Sequence, residues 1–133
     1  MAEQVRTLPA SLVRAPVGFG LYQRILATTP ATTLVSLLAG GVLPVIPIPN
    51  ISGPAGLNYA FGYVDLQSET DPITITVRYT DDGQTAPTAT LGFVVPSGMN
   101  WVRIPCHPSD IKLCSAGADV QIQVRLGIVG TSK

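Results

Sequence analysis

Asp119-Val-Gln-Ile-Gln-Val-Arg-Leu-Gly-Ile128 alternates without a break, with Val120, Ile122, Val124, Leu126 and Ile128 in one phase. Successive side chains of a strand point to opposite faces, so this phase is the buried face of a β-strand. Ile73-Thr-Ile-Thr-Val-Arg-Tyr-Thr80 carries the same period, apolar at the odd positions. Between them, Ala89, Leu91, Phe93 and Val95 form one face of a third expected strand, and Met99–Ile104 and Ile111–Cys114 give two shorter ones. Asp81-Asp82-Gly83, Pro96-Ser97-Gly98 and Ser115-Ala116-Gly117 supply the turn chemistry between them. Short strands, frequent turns and no helical period imply an all-β fold. Consecutive, turn-linked strands pair antiparallel. The expected architecture is an antiparallel β-sandwich or small barrel, jelly-roll-like, with an extended N-terminal arm and a Pro-rich loop.

The N-terminal half reads differently. Residues 1–16, with Pro9 and Pro16, are expected to form the arm, and residues 17–133 a single β domain. Phe19–Ala27 reads as a strand and Thr28–Thr33 as a polar loop. Tyr59, Phe61 and Tyr63 fall on one face of a strand ending near Leu66. From Ile25 to Val64 there are forty residues with no Asp, Glu, Lys or Arg, but with five prolines and five glycines. Pro44, Pro47 and Pro49 would each remove a helical hydrogen bond that lipid cannot replace, which argues against a membrane span. They favour an extended segment over residues 42–51. Val42, Leu43, Pro44, Val45, Ile46, Pro47, Ile48 and Pro49 are therefore expected to face a partner.

Composition points the same way. In 133 residues and 13.9 kDa, 46% are hydrophobic and 12% charged, against a usual charged share of about 25%. A monomer of this mass exposes about 6,700 Å², or roughly 400 Å² per charged residue. Sparse charge at zero net charge favours association. The eight basic residues are scattered along the chain, not clustered as phosphate binding requires, so no nucleic-acid partner is expected. The first residues, Met1-Ala-Glu-Gln-Val-Arg6, lack the layout of a secretory signal, and two cysteines without one imply free thiols in a reducing compartment.

No catalytic, cofactor or metal site is expected. Cys106, His107, Asp110 and Cys114 are metal-type ligands, but the eight-residue gap between the cysteines is not a zinc spacing. A Cys106–Cys114 disulfide is open under oxidising conditions. The single histidine, His107, lies between Pro105 and Pro108, and no Gly-x-Ser-x-Gly elbow supplies a nucleophile. Asp81-Asp82 reads as a turn former, not a glycosidase pair. Asp65, Glu69 and Asp71 lack the EF-hand spacing for calcium. Asn50-Ile51-Ser52 matches a glycosylation sequon with nothing else to indicate secretion, and Gly40-Gly41 lacks the Lys-Ser/Thr of a phosphate loop. Tyr59, Phe61, Tyr63 and Trp101 are either core aromatics or a platform for sugars.

Within Thr74–Val129 the chain resembles small β-rich structural proteins of tailed bacteriophages. The resemblance is carried by the first alternating strand, the Asp81-Asp-Gly-Gln84 turn and Phe93-Val-Val-Pro-Ser-Gly98. Trp101-Val-Arg-Ile-Pro105, Asp110-Ile-Lys-Leu-Cys-Ser-Ala-Gly117 and the final strand complete it. It covers under half of the chain. It is most similar to the head decoration, or cement, proteins. That resemblance implies a non-enzymatic virion component on the capsid exterior, assembled in the host cytoplasm, commonly as a homotrimer that clamps the major capsid protein. Tail, baseplate or fibre modules that bind a receptor or carbohydrate share the same texture and are the alternative.

Overall fold

The computed structural model describes residues 14–46 and 57–132. Among the described residues there are eight strands: β1 (Arg14–Ala27), β2 (Thr32–Thr33), β3 (Leu57–Ser68), β4 (Val77–Thr80), β5 (Phe93–Val94), β6 (Val102–Ile104), β7 (Lys112–Ser115) and β8 (Val120–Ser132). They make two antiparallel four-stranded sheets, ordered β1-β8-β3-β6 and β2-β7-β4-β5. First pairs with last throughout: β1 with β8, β2 with β7, β3 with β6 and β4 with β5. The chain is one long antiparallel hairpin, rolled so that β8 also meets β3 and β7 also meets β4. Eight strands in this order form a double-sheet jelly roll, a sandwich and not a closed barrel.

The sandwich fills from its two inner faces. Val120, Ile122, Val124 and Leu126 of β8 project inward with Ile25 and Ala27 of β1, Val64 and Leu66 of β3, and Ile104 of β6. Across from them lie Val77, Tyr79, Val95, Ile111 and Leu113. Each fully buried Leu or Ile contributes about 1.5–3 kcal/mol by leaving water, and Leu66, Ile111, Leu113, Ile122 and Leu126 are all in that state. One helical turn, α1 (Leu34–Leu37), closes an end of the sandwich. Thr33 caps it by accepting from the Ser36 N–H, and Leu34 is its buried residue. No helix among the described residues is long and apolar enough to cross a membrane.

Several expected elements differ from the observed ones. The alternation over 73–80 becomes a strand only at Val77, because Asp71-Pro72 starts a turn. The Asp71 carboxylate accepts from the Ile73 N–H at 2.9 Å, and its carbonyl accepts from Thr74 and Ile75. Ile73 is left 93% exposed. The expected strand through Ala89–Val95 shrinks to Phe93–Val94. Thr88 accepts from the N–H groups of Thr90 and Leu91, and Arg78 donates to the carbonyls of Ala89 and Gly92, so side chains replace ladder partners. Likewise Met99–Asn100 precede the strand that begins at Val102, and Met99 is exposed. At the other end of the chain β1 begins at Arg14, so the last three residues of the expected arm belong to the sheet. Residues 1–13 lie outside the described residues.

The most consequential departure is in β3. Phe61 pairs with Ile128 and Tyr63 with Gly127, so a bulge at Gly62 separates them. A bulge adds one residue to one strand and inverts the alternation beyond it. Phe61 therefore shares the core phase of Ile128, whereas Tyr63 joins Asp65 and Gln67 on the outer face. Tyr59, Phe61 and Tyr63 do not share one face, as their spacing had implied.

Candidate functional site

The outer face of the β1-β8-β3-β6 sheet gathers the polar phase of its four strands. Register places Tyr22 opposite Arg125, Arg125 opposite Asp65, and Asp65 opposite Arg103. These four residues form one row across the whole sheet, with neighbouring strands about 4.8 Å apart. Asp65, only 6% exposed, sits in its middle. Arg103 Nε donates to Asp65 Oδ1 at 2.8 Å and Nη2 donates to Oδ2 at 3.0 Å. That bidentate pairing raises the Arg103 pKa, hydrogen bonding to Asp65 being the largest cause.

A second contact fixes Arg103 from below. Its guanidinium lies 4.1 Å from the centroid of the Tyr63 ring, in range for a cation–π contact. Tyr63 in turn lies flat against the backbone of Gly127, where any Cβ would collide with the ring. Gly127, Tyr63 and Arg103 stack outward in that order, each needing the one beneath it.

Beside this row, Arg24 and Glu69 form a second bidentate pair, with distances of 2.6 and 2.7 Å. Arg24 draws the Glu69 pKa down, chiefly by hydrogen bonding. Three arginines, Arg24, Arg103 and Arg125, meet two carboxylates, leaving one net positive charge. Among the described residues, Arg125 has no carboxylate within the 4.0 Å of an ion pair. Asp65, Trp101, Arg103 and Arg125 line a cleft of about 350 Å³, with Trp101 42% exposed at its rim. This cleft thus brings together a guanidinium with no carboxylate partner among the described residues, a fixed carboxylate and an aromatic face.

The expected partner-facing segment is mixed. Val42 and Val45 are exposed, Val45 to 88%, whereas Leu43 packs against the core and Pro44 and Ile46 are half-buried. Pro47, Ile48 and Pro49 lie outside the described residues. A second apolar group stands on the edge strand β5 and the loop before it. Leu91, Phe93 and Val94 are exposed there, and the Tyr79 ring, 5.4 Å away between centroids, packs beside Phe93. Leu91 and Phe93, with Thr80, Asp81, Asp82, Thr85 and Gly92, border a hollow of about 330 Å³.

The metal-type residues have structural tasks. Cys106 and Cys114 are both free thiols. Burial pushes the Cys106 thiol up to about 11, with Asp81 and Asp110 adding to it, so it is protonated and unreactive near neutrality. Cys114 Sγ lies 3.1 Å from the Thr29 carbonyl, to which it donates. His107 Nδ1 accepts from the Ser109 N–H at 3.1 Å and caps a 3₁₀ turn. Among the described residues no three His, Cys, Asp or Glu side chains come together as a metal site. Asp82 accepts from the Gln84 and Thr85 N–H groups and from the Thr85 hydroxyl, which together lower its pKa to about 2. It works as the turn former its position beside Gly83 implies.

The outer-face row was not visible from the sequence. Arg103, Arg125 and Asp65 each occupy the polar phase of a strand, but which strands are neighbours depends on the rolled topology. Tyr63 joined that face only through the bulge at Gly62. Compared with protein-family models, curated proteins and solved structures, the chain matches none.

Proposed function

We propose that this chain is a non-enzymatic virion structural protein, a capsid decoration protein that binds the major capsid protein of a tailed phage and stabilises its shell. The observation that carries this reading is apolar surface left outside a core that is already full. Val42, Val45, Leu91, Phe93 and Val94 are exposed while both inner faces of the sandwich are packed. Scattered apolar residues are normal, but two groups, one on an open sheet edge, suit contact with other subunits. Charge sparse enough to leave roughly 400 Å² per charged residue gives the rest of the surface little to resist association.

The architecture is compatible, since jelly rolls build viral capsid and lectin domains alike, although a fold alone never fixes function. A sandwich with rigid strands and apolar edges can bridge neighbouring subunits of a shell, and repetition over the lattice multiplies a modest single contact. We place it on the capsid exterior after assembly in the host cytoplasm, self-associating, with a trimer as the favoured order.

Hydrogen exchange of the protein free and bound to purified heads tests the reading. Amides of residues 42–46 and 91–94 should gain protection on the shell. Unchanged exchange at both segments in the presence of heads would overturn it.

A further inference from the structure

We infer that the cleft on the outer face of the β1-β8-β3-β6 sheet binds an acidic saccharide, a pyranose that carries a carboxylate. The inference does not rest on the capsid reading, because the face involved is separate from the apolar segments that carry it.

The cleft divides the recognition of such a ring among named groups. Arg125 stands directly across the ladder from Asp65, yet both Asp65 oxygens already accept from Arg103. Among the described residues Arg125 is thus a guanidinium without a carboxylate partner. A planar fork of donors pairs best with a carboxylate, in two parallel hydrogen bonds. A carboxylate has about four lone-pair sites, and Arg103 uses two of those on Asp65. The remainder can accept a sugar hydroxyl at the floor of the cleft. Trp101 at the rim offers a flat, electron-rich surface on which the C–H face of a pyranose can lie.

Size and rigidity agree with this occupant. A cleft of about 350 Å³ is at the low end of ligand sites, which span about 300–1,000 Å³. It holds one substituted ring, not an extended polymer. Arg103 is clamped between Asp65 and the Tyr63 ring before any ligand arrives, so little ordering remains to be done on binding. One surplus positive charge is too little for a phosphate backbone, which needs a clustered field. The exposed indole distinguishes a ring from a simple peptide carboxylate.

Trp101 is the only tryptophan in the chain, so its fluorescence reports this cleft alone. The full chain is titrated with methyl glucuronide, methyl glucoside and an acetylated dipeptide with a free C-terminus. The glucuronide is expected to give a saturable change, with the glucoside and the dipeptide each binding at least tenfold more weakly. Arg125→Gln is expected to weaken glucuronide at least tenfold while Arg125→Lys recovers part of the loss, both with the wild-type melting temperature. No saturable change with glucuronide would overturn the inference. So would equal response to the glucoside, equal response to the dipeptide, or undiminished binding by Arg125→Gln.

Discussion

Asp65 and Arg103 lie opposite each other on β3 and β6 and are joined by two hydrogen bonds of 2.8 and 3.0 Å, with Asp65 nearly buried and Arg103 half exposed. The pair ties the short edge strand β6 to the sheet, and removing one partner strands the other. Arg103→Ala should lower stability by about 1–2 kcal/mol, the cost of an unsatisfied buried acceptor moderated by solvent on the arginine side. Arg125→Ala, on an exposed residue without an ion pair among the described residues, should change it by no more than about 0.5 kcal/mol. Urea melts of the two variants make the comparison. A double-mutant cycle with Asp65→Asn should return a coupling of about 1 kcal/mol.

Gly127 makes room for the Tyr63 ring on which Arg103 rests. Gly127→Ala should therefore cost about 1–3 kcal/mol as an overpacked contact. The same change should also disturb Trp101 emission through Arg103. Thermal melting and the fluorescence spectrum of the variant check both.

Ile73 and Leu126 are equally good apolar members of alternating runs in the sequence, but the fold treats them oppositely. Leu126 is fully buried, so Leu126→Ala should cost about 2–5 kcal/mol. Ile73 stands in the Asp71-Pro72 turn, almost wholly in solvent, and Ile73→Ala should cost no more than about 0.5 kcal/mol. Chemical denaturation of the two variants tests the turn directly.

Stability should fall at both ends of the pH scale, for separate reasons. Cys106 titrates near 11 in the fold against an ordinary value of 9.0. Between those values the unfolded chain has lost a proton that the folded chain keeps, so stability falls as pH rises from 9 towards 11. Cys114 is raised in the same direction by burial. Asp82 titrates near 2 against an ordinary 3.8, so its contribution is complete above 3.8 and lost as pH drops through 2. Melting temperatures measured from pH 2 to 11 should show both limbs. Cys106→Ala should flatten the alkaline limb, and Asp82→Asn the acid one.

The β8 strand, its five inward residues and the turns at Gly83, Gly98 and Gly117 were legible because alternation and positive φ are local properties. The sandwich followed from them. Other features depend on contacts between distant residues. Asp71-Pro72 outweighed the alternation after it because the turn offered backbone partners at once, whereas the ladder begins only where β4 meets β7 at Val77. Arg103, Arg125 and Asp65 looked like scattered solvated charges. Only the rolled order β1-β8-β3-β6 sets them in one row, and only the bulge at Gly62 slides Tyr63 beneath Arg103. The Val42–Pro49 segment reads as extended and partner-facing in the sequence. Within its described part, Leu43 packs against the core while Val42 and Val45 are exposed, a split that depends on the tertiary contact of Leu43.

Co-sedimentation of the purified protein with phage heads that lack it measures the proposed role most directly, using wild type and a Val45→Asp, Phe93→Asp double variant. Both substituted side chains are exposed, so the variant should fold while losing apolar contact. Saturable pelleting of the wild type, lost at least tenfold in the double variant, is the predicted result. A wild-type chain that stays in the supernatant as a dispersed monomer at every head concentration would contradict the proposal.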